Sequence, residues 1–147
     1  MLQKFYKFRT NYWQHLLLKG ILLLLFCCAG EHLLAQPTTQ IAKLLAGDAE
    51  ATDYYGWSVS ISGDYAIIGA YEEDAGATGA GAAYIFKHTG TSWVQEAKLQ
   101  ASDAEASDRF GYSVAISGDY AIVGASGEDT GGVNVGAAYI FKRTGTS

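Results

Sequence analysis

The segment YGWSVSISGDYAIIGAYEED, residues 55–74, returns 55 positions later as FGYSVAISGDYAIVGASGED, residues 110–129. Residues 42–92 align without a gap on residues 97–147, and 35 of the 51 aligned positions are identical. Identity on this scale establishes an internal duplication, which is typical of a fold made of stacked units. We therefore divide the chain into a first repeat over 42–96 and a second over 97–147.

Each repeat has the sequence pattern of short antiparallel strands. WSVSIS alternates large apolar residues with serine, the period of two expected of a strand. The Gly63–Asp64 dipeptide that follows it predicts a two-residue hairpin, with glycine free to take a positive φ. Four strands and no helix are predicted in the first repeat, over 57–62, 65–70, 81–87 and 93–100. The second repeat stops before its fourth strand.

The predicted inner strands YAIIGA and AAYIF are apolar on both faces. A sheet with one face in water alternates apolar and polar residues instead. Four-stranded units buried on both faces by their neighbours are the blades of a β-propeller. The sequence thus predicts an all-β fold of propeller blades. A parallel β-helix is the main rival, but its coils are shorter and lack tight hairpins.

The motif elements resemble the FG-GAP repeat, the blade of the integrin alpha-subunit propeller, in its bacterial secreted form. The matching elements are Phe110–Gly111 (Tyr55–Gly56 in the first copy), SVA or SVS, Gly118–Asp119, VGA and AYIF. The resemblance implies an extracellular seven-bladed propeller that serves adhesion or binding. Two repeats are then expected to be a fragment of a longer protein, with further blades in cis; self-association to complete the ring is the alternative.

Residues 1–35 have the pattern of a signal peptide. A basic segment with Lys4, Lys7 and Arg9 precedes the apolar run GILLLLFCCAG, and a small residue, Ala35, suits cleavage. An uncleaved anchor and a lipoprotein are the competing interpretations. Residues 36–41 form a short lead into the repeats, and the mature chain is expected to be secreted, extracellular or at the cell surface.

The composition of residues 36–147 limits the chemistry of the mature chain. It has six basic and fourteen acidic residues, a net charge of −8, no cysteine and one histidine, His88. This net charge disfavours binding to nucleic acid and insertion into membranes. With one histidine and no cysteine, the mature chain lacks the side chains for a Ser–His–Asp site or a zinc site. Paired carboxylates at Glu72–Asp74 are the remaining catalytic candidates, but Glu73 and Asp74 recur in the second repeat. We therefore expect no enzyme activity.

Calcium is the cofactor that the resemblance to FG-GAP repeats suggests. In that family the metal loop lies between the first two strands of the blade, where this chain has only the turns Ser62–Tyr65 and Ser117–Tyr120. One carboxylate in a tight turn cannot supply six to eight oxygen ligands. We expect no cofactor; a weak calcium site is the alternative, with candidates Asp48, Glu50, Asp53, Glu73, Asp74, Asp103, Glu105, Asp108, Glu128 and Asp129.

Aromatic residues are the other candidates for ligand contact. Most of them recur 55 residues on, which favours packing between blades, whereas Tyr71 is replaced by Ser126 and is the better candidate for an exposed contact. The functional prediction is a secreted, non-catalytic binding or adhesion module that contacts protein or glycan through rim loops. A structural propeller within a larger exported enzyme, such as a carbohydrate-active hydrolase, is the alternative.

Overall fold

The computed structural model describes residues 38–74 and 76–145. The predicted signal peptide lies outside this part, and the compact unit that contains the repeats begins at Gln40. All regular structure in the described part is β, so nothing there forms a helix long and apolar enough to cross a membrane. The all-β prediction is confirmed.

The strands form two antiparallel meanders, one from each repeat. The first sheet, blade 1, has the order β1-β2-β3-β4, and the second, blade 2, has the order β5-β6-β7. Their bounds match the predicted strands to within one residue at each end in blade 1. The strands are β1 Ser58–Ser62, β2 Tyr65–Ala70, β3 Ala82–His88, β4 Trp93–Leu99, β5 Phe110–Ser117, β6 Tyr120–Ala125 and β7 Ala137–Lys142.

Both predicted hairpins are present at the Gly–Asp dipeptides. Ser62 pairs with Tyr65 across the first turn, and Gly63 has a φ of +57°. The second turn repeats this geometry, with Gly118 at +54°. An L-residue with a side chain rarely adopts this backbone conformation, so the two glycines fix where each first strand reverses.

The two blades pack face to face around one apolar cluster. Ile67 and Ala83 from blade 1 are fully buried in it, together with Phe110 and Val123 from blade 2. The other face of blade 1 has its own buried cluster, built around Ile68, Ala70, Tyr84 and Phe86. Burial on both sheet faces, predicted from sequence, is therefore found in blade 1.

Blade 2 differs because its far face carries no neighbouring blade in the described structure. Ile122 is 43% exposed and Ile140 is 71% exposed, whereas their repeat equivalents Ile67 and Ile85 lie in the cluster between the blades. The array is therefore an open pair of blades rather than a closed ring.

The Phe–Gly element of the second repeat is the joint between the blades. The Phe110 amide donates to the Ala80 carbonyl at 2.8 Å, and Phe110 forms a parallel bridge with Gly81. Ser58 Oγ donates to the Gly111 carbonyl at 2.7 Å. A Cβ on Gly69 would lie 2.0 Å from that same carbonyl oxygen. Glycine is therefore required where the two backbones meet.

Candidate functional site

The candidate site lies at the end of the blades where β1 and β5 begin and β2 and β6 end. Because neighbouring strands are antiparallel, four loops meet at this end, over 45–57, 71–81, 100–109 and 126–136. We call this surface the upper rim. It carries all the acidic residues that the sequence marked as calcium candidates, and it carries Tyr71.

Four aromatic side chains form a cluster on the upper rim, which we call the aromatic cluster: Tyr54, Trp57, Tyr71 and Tyr112. The Tyr71 ring stacks on Tyr54 with centroids 5.1 Å apart, and it meets the edges of Trp57 at 5.0 Å and Tyr112 at 5.3 Å. Tyr54 and Trp57 are more than half exposed, and Tyr112 is 41% exposed. The cluster joins the two blades, since Tyr112 lies in β5 and its ring centroid is 5.7 Å from that of Trp57.

The backbone before β1 is bent so that Tyr54 reaches the cluster. Tyr54 has a φ of +51° and Thr52 a φ of +78°, in the left-handed region that side chains other than glycine rarely adopt. Their repeat equivalents Ser107 and Arg109 adopt the same conformation, at +70° and +58°. The bend is therefore a property of the repeat, and the aromatic residue at position 54 is particular to the first copy.

The aromatic cluster is flanked by one ion pair that joins the blades. Arg109 Nε lies 3.4 Å from Glu72 Oε1. Desolvation, followed by the nearby Tyr54 and Glu72, raises the pKa of Tyr71. Its hydroxyl is therefore protonated at neutral pH and can both donate and accept a hydrogen bond.

Lys98 holds together two of the acids proposed as calcium ligands. Its Nζ lies 2.6 Å from Asp48 Oδ2 and 2.8 Å from Glu73 Oε1. The hydrogen bond from Lys98 lowers the pKa of Asp48. Burial alone would lower the pKa of Lys98, but its bonds to the two carboxylates outweigh it and raise that pKa. A calcium ion would have to displace this lysine to reach either carboxylate.

Other candidate acids bond to the loops that carry them. Asp53 Oδ2 accepts from the Glu50 amide at 2.7 Å, and Asp108 Oδ2 accepts from the Glu105 amide at 2.6 Å. Asp74 likewise accepts from the Gly79 amide. Asp53 and Asp108 are 7% and 3% exposed. These carboxylates brace the loops against their own backbone.

The last candidates are spread over blade 2. Asp103 accepts from the Tyr139 hydroxyl, Glu128 accepts from the Thr130 amide, and Asp129 is exposed. Within 38–74 and 76–145, no three acidic or histidine side chains converge as a metal site would require. The calcium alternative stays a prediction.

His88 and the buried aromatic residues lie outside the aromatic cluster. His88 is at the opposite end, with Nδ1 3.7 Å from Asp64 and its ring 5.1 Å from Trp93. Tyr84 and Phe86 are buried in the core of blade 1.

The family model for the FG-GAP repeat matches residues 38–86 and again residues 93–141. The chain belongs to the FG-GAP repeat family. Repeats of this family occur in extracellular or surface proteins and form propeller-type modules that commonly serve binding. No curated protein matches the chain.

The FG-GAP chain shows a rim that sequence reasoning found only in part. Tyr71 was singled out because the second repeat has Ser126 in its place. Tyr54 carries the same signal, since the second repeat has Arg109 there, although the repeat comparison above names only Tyr71. That Tyr54 and Tyr71 stack on each other depends on the bend at Thr52 and Tyr54, which no local motif indicates.

Proposed function

We propose that this FG-GAP chain is a secreted, non-catalytic binding or adhesion module that contacts an extracellular protein or glycan through its upper rim. The aromatic cluster carries the proposal. Tyr and Trp side chains combine a large apolar face with a polar tip, which is why they are enriched at binding interfaces. A soluble surface rarely leaves such rings exposed and in mutual contact without a binding role.

The arrangement of the cluster favours recognition through preformed contacts. Tyr71 touches each of the other three rings, so its side chain is ordered before a ligand arrives. A preordered side chain loses less conformational entropy on binding than a free one. The Arg109–Glu72 pair beside the cluster supplies polar groups that can set the orientation of a ligand.

The chemistry of the rim favours binding over catalysis. A nucleophile needs a base within hydrogen-bond reach, and the base needs a third group to orient it. The acids that recur in both repeats are used to brace loops or to hold Lys98. The signal-peptide pattern of residues 1–35 and the absence of cysteine after residue 35 support export of a chain that does not depend on disulfides.

Glycan arrays and a panel of purified extracellular proteins, probed with the fluorescently labelled chain, test the proposal. Tyr71→Ser places at the rim the residue that the second repeat has there, and we expect it to weaken binding at least tenfold, about 1.4 kcal/mol. Tyr120→Ser is the control, because Tyr120 is an exposed tyrosine at the opposite end of the blades, away from the aromatic cluster. Equal binding by the Tyr71 variant and the control would refute the role of the cluster.

A further inference from the structure

Tyr54 and Tyr71 form a stacked pair of tyrosines on the upper rim. Their ring centroids are 5.1 Å apart and their planes differ by 20°, which is the offset-stacked arrangement in which two rings touch through their faces. Tyr54 is 54% exposed and Tyr71 is partly buried, so the pair lies at the protein surface. Both residues belong to the first repeat, and their contact is complete within it.

The tyrosine pair is present in one repeat and absent from the other. Where the first repeat has Tyr54 and Tyr71, the second has Arg109 and Ser126. The backbone does not account for this difference, because Tyr54 and Arg109 have nearly the same positive φ, +51° and +58°. Within this chain the two tyrosines therefore occur together or not at all, as expected of side chains that act on each other.

We propose that Tyr54 and Tyr71 are a modification site at which oxidation links the two rings as dityrosine. A one-electron oxidant, such as a peroxidase supplied with hydrogen peroxide, removes one electron and one proton from each phenol. The two phenoxyl radicals then form a carbon–carbon bond between ring carbons that adjoin the hydroxyl groups. Each of these carbons passes its hydrogen to the oxygen, so both phenols are restored. Hydrogen peroxide takes up the two electrons and two protons and becomes two molecules of water.

The stacked geometry favours this pair over the other tyrosine contacts of the described structure. The rings of Tyr55 and Tyr84 meet at 67°, and both hydroxyl groups are buried. The rings of Tyr71 and Tyr112 meet edge to face at 72°. An edge-to-face contact directs the edge of one ring at the centre of the other, whereas a stacked contact brings the outer carbons of both rings together. Coupling is therefore expected between Tyr54 and Tyr71.

The new bond would join the loop before β1 to the loop after β2. It would close a ring of chain around the β1–β2 hairpin, and a cross-link of this kind stabilises a fold chiefly by restricting the unfolded chain. Residues 36–147 contain no cysteine, so no disulfide within them can do the same. The coupling involves no ligand, so its outcome and that of the proposed binding function are independent.

Oxidation of the full chain by a peroxidase and a limited amount of hydrogen peroxide tests the proposal. Cys27 and Cys28 are first changed to serine, because a disulfide between them would also remove two hydrogen atoms. Trypsin cuts after lysine and arginine and leaves both tyrosines in one peptide, residues 44–87. We expect dityrosine fluorescence from monomeric chains, and a 44–87 peptide that is lighter by two hydrogen atoms. After a further digestion at acidic residues, its two parts should stay joined across the cut at Asp64.

Phenylalanine variants keep each ring and remove the phenol that the coupling needs. We expect Tyr54→Phe and Tyr71→Phe each to lower the yield of dityrosine at least tenfold, whereas Tyr112→Phe, the control from the same cluster, should leave the yield unchanged. Oxidation should raise the Tm of the unsubstituted chain by at least about 5 °C and that of neither of the first two variants. Coupling mainly to the peptide that carries Tyr112, coupling mainly between chains, or a yield that Tyr54→Phe leaves unchanged would overturn the proposal.

Discussion

The change Gly69→Ala tests whether the FG-GAP joint depends on direct contact between backbones. Gly69 pairs with Ser58 and Ala83 in the middle of blade 1, and its φ is outside the left-handed region. Alanine therefore suits the local backbone. Its Cβ would meet Ser58 Oγ of the same blade, a side-chain end that can change rotamer, so the main cost comes from the neighbouring blade. That neighbour is the Gly111 carbonyl oxygen, 2.0 Å from the position of the new Cβ.

The magnitude follows from this distance. Unbonded heavy atoms lie about 3.5 Å apart at their optimum, so the blades would have to separate locally by about 1.5 Å. Backbone cannot rotate away as a side chain can, and the hydrogen bond from Ser58 Oγ to the same carbonyl would break. Overpacking costs about 1–3 kcal/mol and the lost hydrogen bond about 1 kcal/mol. We expect a loss of about 3 kcal/mol.

Gly124→Ala is the matched control, because Gly124 is the same position one repeat later. There the close atom is Ser113 Oγ at 2.4 Å, the end of a side chain that can change rotamer, and no backbone of a further blade is present in the structure. We expect it to cost less than about 1 kcal/mol.

The assay is urea and thermal unfolding followed by tryptophan fluorescence, since Trp57 directly precedes β1 and Trp93 lies in β4. For a unit of this size about 1 kcal/mol corresponds to roughly 4–8 °C, so Gly69→Ala should lower the Tm by more than about 10 °C. Equal effects of the two substitutions would refute the claim that contact between the blades, rather than strand propensity, requires the glycine.

Three further outcomes test the upper rim. Because Lys98 lowers the pKa of Asp48, this pair stabilises the fold above the ordinary carboxyl pKa and loses its effect as the pH falls through the lowered value. Lys98→Met should therefore lower the free energy of unfolding at pH 7 by about 1 kcal/mol and reduce its dependence on pH in the acid range. Lys87→Met, the control, should change neither quantity. Asp108→Ala removes the buried acceptor of the Glu105 amide and should cost about 1–3 kcal/mol in urea unfolding; a change within error would mean that the loop does not depend on this bond. Calcium and a chelator should give the same Tm, because the rim acids already bond to Lys98 or to loop amides; a rise in Tm with calcium would instead establish the metal site.

The sequence predicted most of the fold because its main signals are local. Alternating WSVSIS, the Gly63–Asp64 turn and the apolar strand YAIIGA each specify a backbone conformation within a few residues. Because the repeat is duplicated, the strands predicted for the first copy also predict the strands of blade 2. The same comparison singled out Tyr71, since a residue that departs from its repeat equivalent is free of the constraint that the repeat imposes.

What the sequence by itself determined is the blade: its strands, its turns, its duplication and its FG-GAP family. Only the tertiary structure decided which side of each blade is covered, because strands that differ at one position are buried at Ile67 and exposed at Ile122 according to whether another blade lies against them. It also decided that Tyr54, Tyr71 and Tyr112, from three different segments, meet in one exposed cluster. Burial and clustering depend on how units are stacked, and that arrangement is not written in any single repeat.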